Sequence, residues 1–311
     1  MLIAVMAFPS FVSWQHAHLA TPFEPQPFIV SVNPADKTIA DTPALEAQLF
    51  NARLSLAAVS AGTADVFAGI AGVVAAQPWY QLAATIGLPK AVEIRPGMRR
   101  EQVAAAFGSA LGWDKAGRAA FLSSTTTPLT EGAYFPSTYL VLPGMGQEEV
   151  LQMVRERFDA RILSRYATST RDVVPVIDAL TIASLLEREA AAGDSEEMRV
   201  ISGIIWNRLF AGMRLQIDAT LQYTRGTSSN GWWPVPRARD KYIKSDYNTY
   251  MHEGLPPGPI NSPSVAAVIA TLNPKKTDCL FYFHDKKGDF HCTASYEEHV
   301  ALLKQYYGRG R

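Results

Sequence analysis

The stretch LTIASLLEREAAAGDSEEMRVISGIIWNRL, Leu180 to Leu209, decides how the chain folds. It reads as two helices joined at Gly193-Asp194, and the first carries two glutamates, Glu187 and Glu189. On a wheel of about 100° per residue, Ile182, Leu185 and Leu186 define an apolar stripe. Glu189 falls close to the centre of that stripe, whereas Glu187 lies to the other side, nearer Ser184 and Ala183. A carboxyl aimed inward has two readings. It is a helix-end group that turns out to pair with Arg199 or Arg208, or an acid whose burial raises its pKa and keeps it protonated near neutrality. Geometry favours Glu189 as the working acid and leaves Glu187 an orienting or ion-pairing role. Asp194 with Glu197 is the expected N-terminal cap of the second helix, and Gly212 its stop.

Downstream, MRLQIDATLQY alternates like a strand, which sets Gln216 and Asp218 on a face opposite Leu215 and Ile217. A long polar and aromatic segment follows, TRGTSSNGWWPVPRARDKYIKSDYNTYMHEGLPPGPINSP, holding Trp232, Trp233, Tyr242, Tyr247 and Tyr250. Loops of this length inside compact domains tend to be functional or disordered, and these aromatics favour the functional option. Ser262-Pro263 predicts a helix start that runs to about Leu272, and another helix starts at Tyr296. Between them CLFYFHDKKGDFHC predicts a hairpin turning at Lys286-Lys287-Gly288. With Asp285 opposite Asp289, Cys292 faces Tyr282 and Cys279 lies beyond the pair's reach, so a disulfide would need a shifted register.

Upstream, AVEIRPGMRREQVAAAFGSALG reads as strand, tight turn and amphipathic helix, with Val103, Phe107 and Leu111 along one face. SSTTTPL, Ser123 to Leu129, is the candidate linker, and EGAYFPSTY an aromatic loop. Helical patterning also covers about Pro43 to Leu88. The start, MLIAVMAFPSFVSW, is apolar but shorter than the roughly 20 residues of a spanning helix. No Lys or Arg precedes Lys37. An anchor with its start cut away, a degenerate signal and a buried terminal segment all remain open. In 311 residues, Lys+Arg and Asp+Glu balance at 29 each, which argues against a nucleic-acid binder working by bulk positive charge.

The blocks ASLLEREA, IIWNRL, GMRLQIDATLQY and YNTYMHEGLPPGPINSPS, followed by Asn-Pro and an aromatic hairpin, resemble the YceG-like family, the membrane-anchored endolytic murein transglycosylases of bacteria. The likeness runs from about Val92 to Tyr307. EGAYFPSTY and AVEIRPGMRREQVAAAF resemble further family segments, the latter LysM-like, with Ser137 and Arg95-Pro96 replacing residues that are commonly acidic. The resemblance implies an α+β fold. An apolar lead and linker (1–42), open to being the remnant of an anchor, precedes a helical region with a small LysM-like module (43–125). A mixed α+β catalytic domain with a lysozyme-like helical glutamate site completes it (126–311). The activity implied is cleavage of the MurNAc-β-1,4-GlcNAc bond in peptidoglycan strands, leaving 1,6-anhydroMurNAc ends. Glu189 is then the catalytic acid and base, with no cofactor or metal. Gln216, Asp218, Tyr247, Asn248 and Tyr250 are the sugar-positioning candidates, and Glu187, Asn207 and Arg208 supporting residues. For Arg208 a buried ion pair, with Glu187 as candidate partner, is preferred to substrate contact. The expected setting is the outer face of the cytoplasmic membrane, beside wall synthases of elongation or division, with no nucleic-acid partner.

Two rival readings share these residues. A hydrolytic muramidase needs a second carboxylate, for which Asp218 is the candidate. A catalytically silent glycan-binding protein would use the strand-turn-helix module and the aromatic loop. A metal site of His284, Asp285, Asp289 and His291 is disfavoured, because these ring a tight turn and match no ligand spacing.

Overall fold

The structure is a computed structural model that describes residues 26–40, 89–190 and 194–308. The expectations for the apolar lead up to residue 25, for helical patterning between 43 and 88 and for the Gly193 joint lie outside the described residues. Those described fall into two compact units, one of residues 26–27 and 89–165, the other of 28–40 and 166–308. The fold is α+β, with short antiparallel sheets and far more helix than strand among the described residues. A small hairpin, β1 (Val32–Asn33) and β2 (Thr38–Ile39), belongs to the second unit.

The first unit is built on β3 (Lys90–Ile94) paired antiparallel with β4 (Ser137–Val141), Val92 facing Tyr139. Between them lie α1 (Arg100–Leu111) and α2 (Lys115–Leu122). The expected turn forms at Gly97, whose φ of 80° a side chain would disfavour. Val103 and Phe107 are fully buried on α1, and Phe107 meets Phe121 at 5.8 Å and Tyr139 at 5.7 Å between ring centroids. Burying each of Val103, Phe107 and Phe121 contributes roughly 1.5–3 kcal/mol. Asp114 caps α2 by accepting from Gly117 N–H at 2.7 Å. Residues 123–129 run inside this unit, with Thr127 and Leu129 buried. Then α3 (Gln147–Arg161) buries Val150, Leu151, Val154 and Phe158 along one face, the 3.6-residue period of a surface helix. Glu131 is buried here, and its Oε1 accepts from Arg100 N–H at the start of α1.

The second unit centres on α5 (Val176–Glu189), which follows the short α4 (Thr168–Val173) and packs against α6 (Ser195–Phe210) and α8 (Val265–Leu272). Ile182, Leu185 and Leu186 are fully buried, as the wheel requires. Asp194 caps α6 by accepting from Glu196 and Glu197 N–H, and Gly212 stops the chain beyond it at φ 64°. Helices α6 and α8 are knitted by polar bonds as well as packing. Trp206 donates its indole N–H to Thr271 O at 2.9 Å, and Arg199 Nε reaches Asn273 O at 3.0 Å. A methyl on Gly203 would sit 2.2 Å from Lys275 O, so only glycine allows this approach of helix and loop. Leading into the β1–β2 hairpin, Ser31 N–H bonds to Leu272 O, and Asn273 donates its amide to Ile29 O.

The predicted strand over MRLQIDATLQY is absent. Residues 213–217 are irregular and Asp218 opens α7 (Asp218–Arg225). The alternation survives without a ladder: Leu215 and Ile217 are buried, Gln216 and Asp218 exposed. The hairpin β5 (Phe281–His284) and β6 (Phe290–Thr293) has the expected register, Tyr282 facing Cys292, and α9 (Tyr296–Tyr307) packs on it. Cys279 and Cys292 nevertheless form a disulfide, Cα atoms 5.8 Å apart. No register shift is needed, because Cys279 precedes the paired strand and its backbone is free of the ladder's straight path.

Candidate active site

Glu189 is the last residue of α5, where Ala190 leaves the helix in an extended conformation. Its Oε2 accepts a hydrogen bond from the Tyr282 hydroxyl on β5 at 2.7 Å, and the Ala219 N–H in the first turn of α7 bonds to it as well. Burial pushes the Glu189 carboxyl above the usual carboxylate range, and the negative charge of Asp218 adds to the push. The two hydrogen bonds and the Arg188 charge oppose it without cancelling it. The Tyr282 phenol is itself driven well up by burial and by the adjoining carboxylate, so it remains a donor. Neither bland alternative for Glu189 holds: Arg199 is bonded to Glu196 and Asn273, and Arg208 to backbone carbonyls.

Asp218, exposed at the start of α7, accepts from the Tyr250 hydroxyl at 2.7 Å. Burial raises the Tyr250 phenol, as do Asp218 and Glu189. Before Asp218, Gln216 holds a left-handed φ of 53°, unfavourable for any residue with a side chain. Thr249 enforces it: its carbonyl accepts from Gln216 N–H and its hydroxyl from Ile217 N–H, each at 3.0 Å. The result is an exposed Gln216 side chain on a pinned backbone, beside the Asp218–Tyr250 pair.

The supporting residues divide differently from expectation. Glu187 Oε1 accepts from Ser264 N–H at 2.9 Å, at the N-terminus of α8 where a carboxylate is favoured. Ser184, one turn earlier, accepts Ile260 N–H with its hydroxyl and Asn261 Nδ2 with its carbonyl. One face of α5 therefore anchors the Pro259-to-Ser264 return, while Glu189 faces the hairpin. Arg208 does not pair with Glu187. Its guanidinium donates to Leu280 O at 2.6 Å and to Leu215 O at 2.6 Å, tying the segment before β5 to the segment before α7. Asn207 likewise donates to Thr277 O and Cys279 O. A guanidinium suits this work because its planar donors reach several carbonyls at once.

Asn248 is fully buried, both amide hydrogens going to the carbonyls of Lys241 and Ile243 and its Oδ1 accepting from Tyr250 N–H. It braces the loop that presents Tyr250. Tyr247 is partly buried, its ring 4.9 Å from that of Tyr223 and its hydroxyl next to Gly258. In the hairpin, His284 pairs with Glu197 at 2.9 Å and His291 with Asp285 at 3.1 Å. The structure thus brings Glu189, Asp218, Gln216 and Tyr250 together with Tyr282 and Thr249, which the sequence did not single out for this site. For Tyr282 the one signal was its position in an aromatic strand. Thr249 gave none beyond its place in YNTY.

An α+β chain with a desolvated helix-end glutamate held by a tyrosine, and the charge of Asp218 felt by it, has the groups that acid–base chemistry uses. A profile of the YceG-like family matches residues 42–305, and the chain belongs to that family. It is 33% identical over 171 residues to the endolytic murein transglycosylase of Streptococcus pneumoniae serotype 2 (strain D39 / NCTC 7466), covering 54% of this chain and 31% of the relative. Against the endolytic murein transglycosylase of Bacillus subtilis (strain 168) it is 30% identical over 177 residues, 57% of this chain and 48% of the relative. The chain thus spans about a third to a half of the length of these relatives. Among solved structures, a yceG-like protein from Listeria monocytogenes shares the fold with a TM-score of 0.61 at 24% identity, over 69% of this chain and 76% of that one.

Proposed function

We propose that this chain is an endolytic lytic transglycosylase that cuts the MurNAc-β-1,4-GlcNAc bond of peptidoglycan strands and leaves 1,6-anhydroMurNAc ends. The observation that carries the reading is Glu189, a helix-end carboxyl whose Oε2 accepts from the Tyr282 phenol at 2.7 Å and whose pKa burial pushes upward, toward the protonated form an acid needs. Protonated Glu189 gives its proton to the departing GlcNAc oxygen as the bond to the MurNAc anomeric carbon breaks. The resulting carboxylate then takes the proton of the MurNAc C6 hydroxyl as that oxygen closes on the anomeric carbon, so the acid is regenerated and no water is consumed. Such acid–base work contributes on the order of 10²–10⁴-fold in rate. Asp218, oriented by Tyr250, sets negative charge beside the cationic centre, and Gln216 offers an exposed amide to the sugar. Asn248, Asn207, Arg208 and Glu187 hold the segments that carry these groups.

The order β3–α1–α2–β4, two helices between antiparallel strands, supports reading the first unit as a LysM-like glycan-binding module. On this reading the macromolecular partner is the glycan strand, the setting is the cell envelope, and wall synthases are the proteins it works beside. No helix among the described residues is long and apolar enough to cross a membrane.

One observation favours a second reading: Asp218 is close enough to Glu189 to raise its pKa, as the paired carboxylates of a hydrolase would be. Mass spectrometry of fragments released from purified peptidoglycan separates the two. Termini lighter by one water, lost in Glu189→Gln and still formed by Glu187→Gln, are expected. Reducing MurNAc ends would make it a hydrolase, and no release by the wild type would move the weight to binding.

A further inference from the structure

Between the two glutamates, Arg188 has no part in the chemistry above, yet its surroundings are unusual for an arginine. Its guanidinium carbon lies 4.3 Å from the ring centroid of Trp233, in the long loop, and the side chain is partly buried. Its buried Nε–H meets no hydrogen-bond acceptor, and no carboxylate forms a salt bridge with it among the described residues. Burial disfavours its charge, and only the neighbouring Glu189 carboxylate restores any of it. A guanidinium carries five donors and normally satisfies several when partly buried. Arg208, on the next helix, satisfies its own with three carbonyls. In the proposed step Glu189 is neutral when the strand binds, which leaves Arg188 without even that long-range compensation. A cation held over an indole, next in sequence to the acid and with its buried Nε–H unbonded, is arranged to receive an anion from outside the chain.

We propose that Arg188, held on Trp233, binds a carboxylate borne by the muramoyl residue at the cleavage point and so selects acidic glycan strands over neutral β-1,4 glycans. This rests on the transglycosylase reading for the identity of the sugar. Two carboxylates have the required chemistry, the lactyl acid of a peptide-free muramoyl group and the acids of an attached stem peptide. The competing explanation is that the Arg188–Trp233 stack only braces the loop, in which case the variant weakens every ligand alike.

The test measures binding in the Glu189→Gln background, so that cleavage does not intervene, with fluorescently labelled strand fragments of three kinds. One carries stem peptides, one is stripped to free lactyl acids, and one has all carboxyls amidated. A chitin fragment serves as the neutral control. Adding Arg188→Gln is expected to weaken acidic fragments about tenfold or more. The amidated and chitin fragments should shift less than about twofold. Whichever acidic fragment loses more identifies the carboxylate. Arg188→Lys, which keeps the charge and loses the fork, is expected to fall between. Were Arg188→Gln to unfold the protein, equal affinity of the Glu189→Gln protein for amidated and acidic fragments would still overturn the proposal. Equal losses on all ligands, or none, also overturn it. The transglycosylase reading fails separately, if wild type releases no anhydro ends.

Discussion

The Tyr282 hydroxyl donates to Glu189 Oε2 across 2.7 Å, joining the end of α5 to a hairpin strand 93 residues further along the chain. That bond stabilises the ionised carboxylate and therefore restrains the upward shift imposed by burial. Removing it in Tyr282→Phe is expected to raise the Glu189 pKa further. If Glu189 must be protonated to act, activity is lost as pH rises through its pKa. The basic limb of kcat/KM in Tyr282→Phe should then move to higher pH, with kcat about tenfold lower from lost aim. A limb that stays put or moves to lower pH would show that Tyr282 does not control the acid.

Gln216 supplies a case in which stability and activity should separate. Its left-handed backbone disfavours any side chain, so Gln216→Gly should stabilise the fold by about 1 kcal/mol while Gln216→Ala should not. If the exposed amide positions the sugar, both variants lose turnover to a similar degree. Urea unfolding together with fragment release measures the two effects, and full activity in Gln216→Gly would remove the residue from the site.

Glu131 should make the first unit sensitive to pH. Burial and the Glu101 charge raise its pKa from 4.5 to about 7, against the Arg100 N–H bond and the charges of Arg99 and Arg100. The folded state therefore holds its proton more tightly than the unfolded chain does. The cost of ionising it is absent below about pH 4.5, grows as pH rises, and is complete above about pH 7. It amounts to roughly 3 kcal/mol. Glu131→Gln keeps an acceptor for Arg100 N–H and should flatten the fall in stability between pH 5 and pH 8. An unchanged pH profile in denaturant titrations would contradict the assignment.

Arg208→Lys keeps the charge and loses the fork. Because one guanidinium serves the carbonyls of Leu280, Arg214 and Leu215, the variant leaves buried acceptors unpaired, at about 1–3 kcal/mol. Both Tyr282 and Gln216 sit beyond those carbonyls, so kcat should fall more than the melting temperature predicts. Wild-type turnover in a destabilised Arg208→Lys would restrict Arg208 to a structural role.

Sequence periodicity found what is local. The α5 wheel gave Glu189 and Glu187 different directions but not different burial: Ala183 and Ser184, on the Glu187 side, are as buried as Ile182, and burial pushes both carboxyls up. Asp194 and Gly212 marked the ends of α6 by their own backbone chemistry. The period-two alternation at Leu215 to Asp218 was real, but the partner that shapes it is Thr249, 32 residues away, and no strand pairs there. Nothing local distinguishes an alternation pinned by one threonine from an alternation in a ladder. Tyr282 escaped for the same reason, since its value depends on where the hairpin docks. Asn248 was legible as an important polar residue but not as a buried brace, because a side-chain amide serves either end equally well.

The Cys279–Cys292 bond closes the strand pair that carries Tyr282 between its two sulfurs. A covalent closure of this length is worth about 3 kcal/mol against the open chain, and such bonds persist only in oxidising surroundings. Freshly made in a reducing compartment, the protein would have its acid in place on α5 but the phenol that aims it on a looser hairpin. If Glu189 works as proposed, its acid would stay unaimed until the two sulfurs join, and oxidation would be the last step of assembling the site.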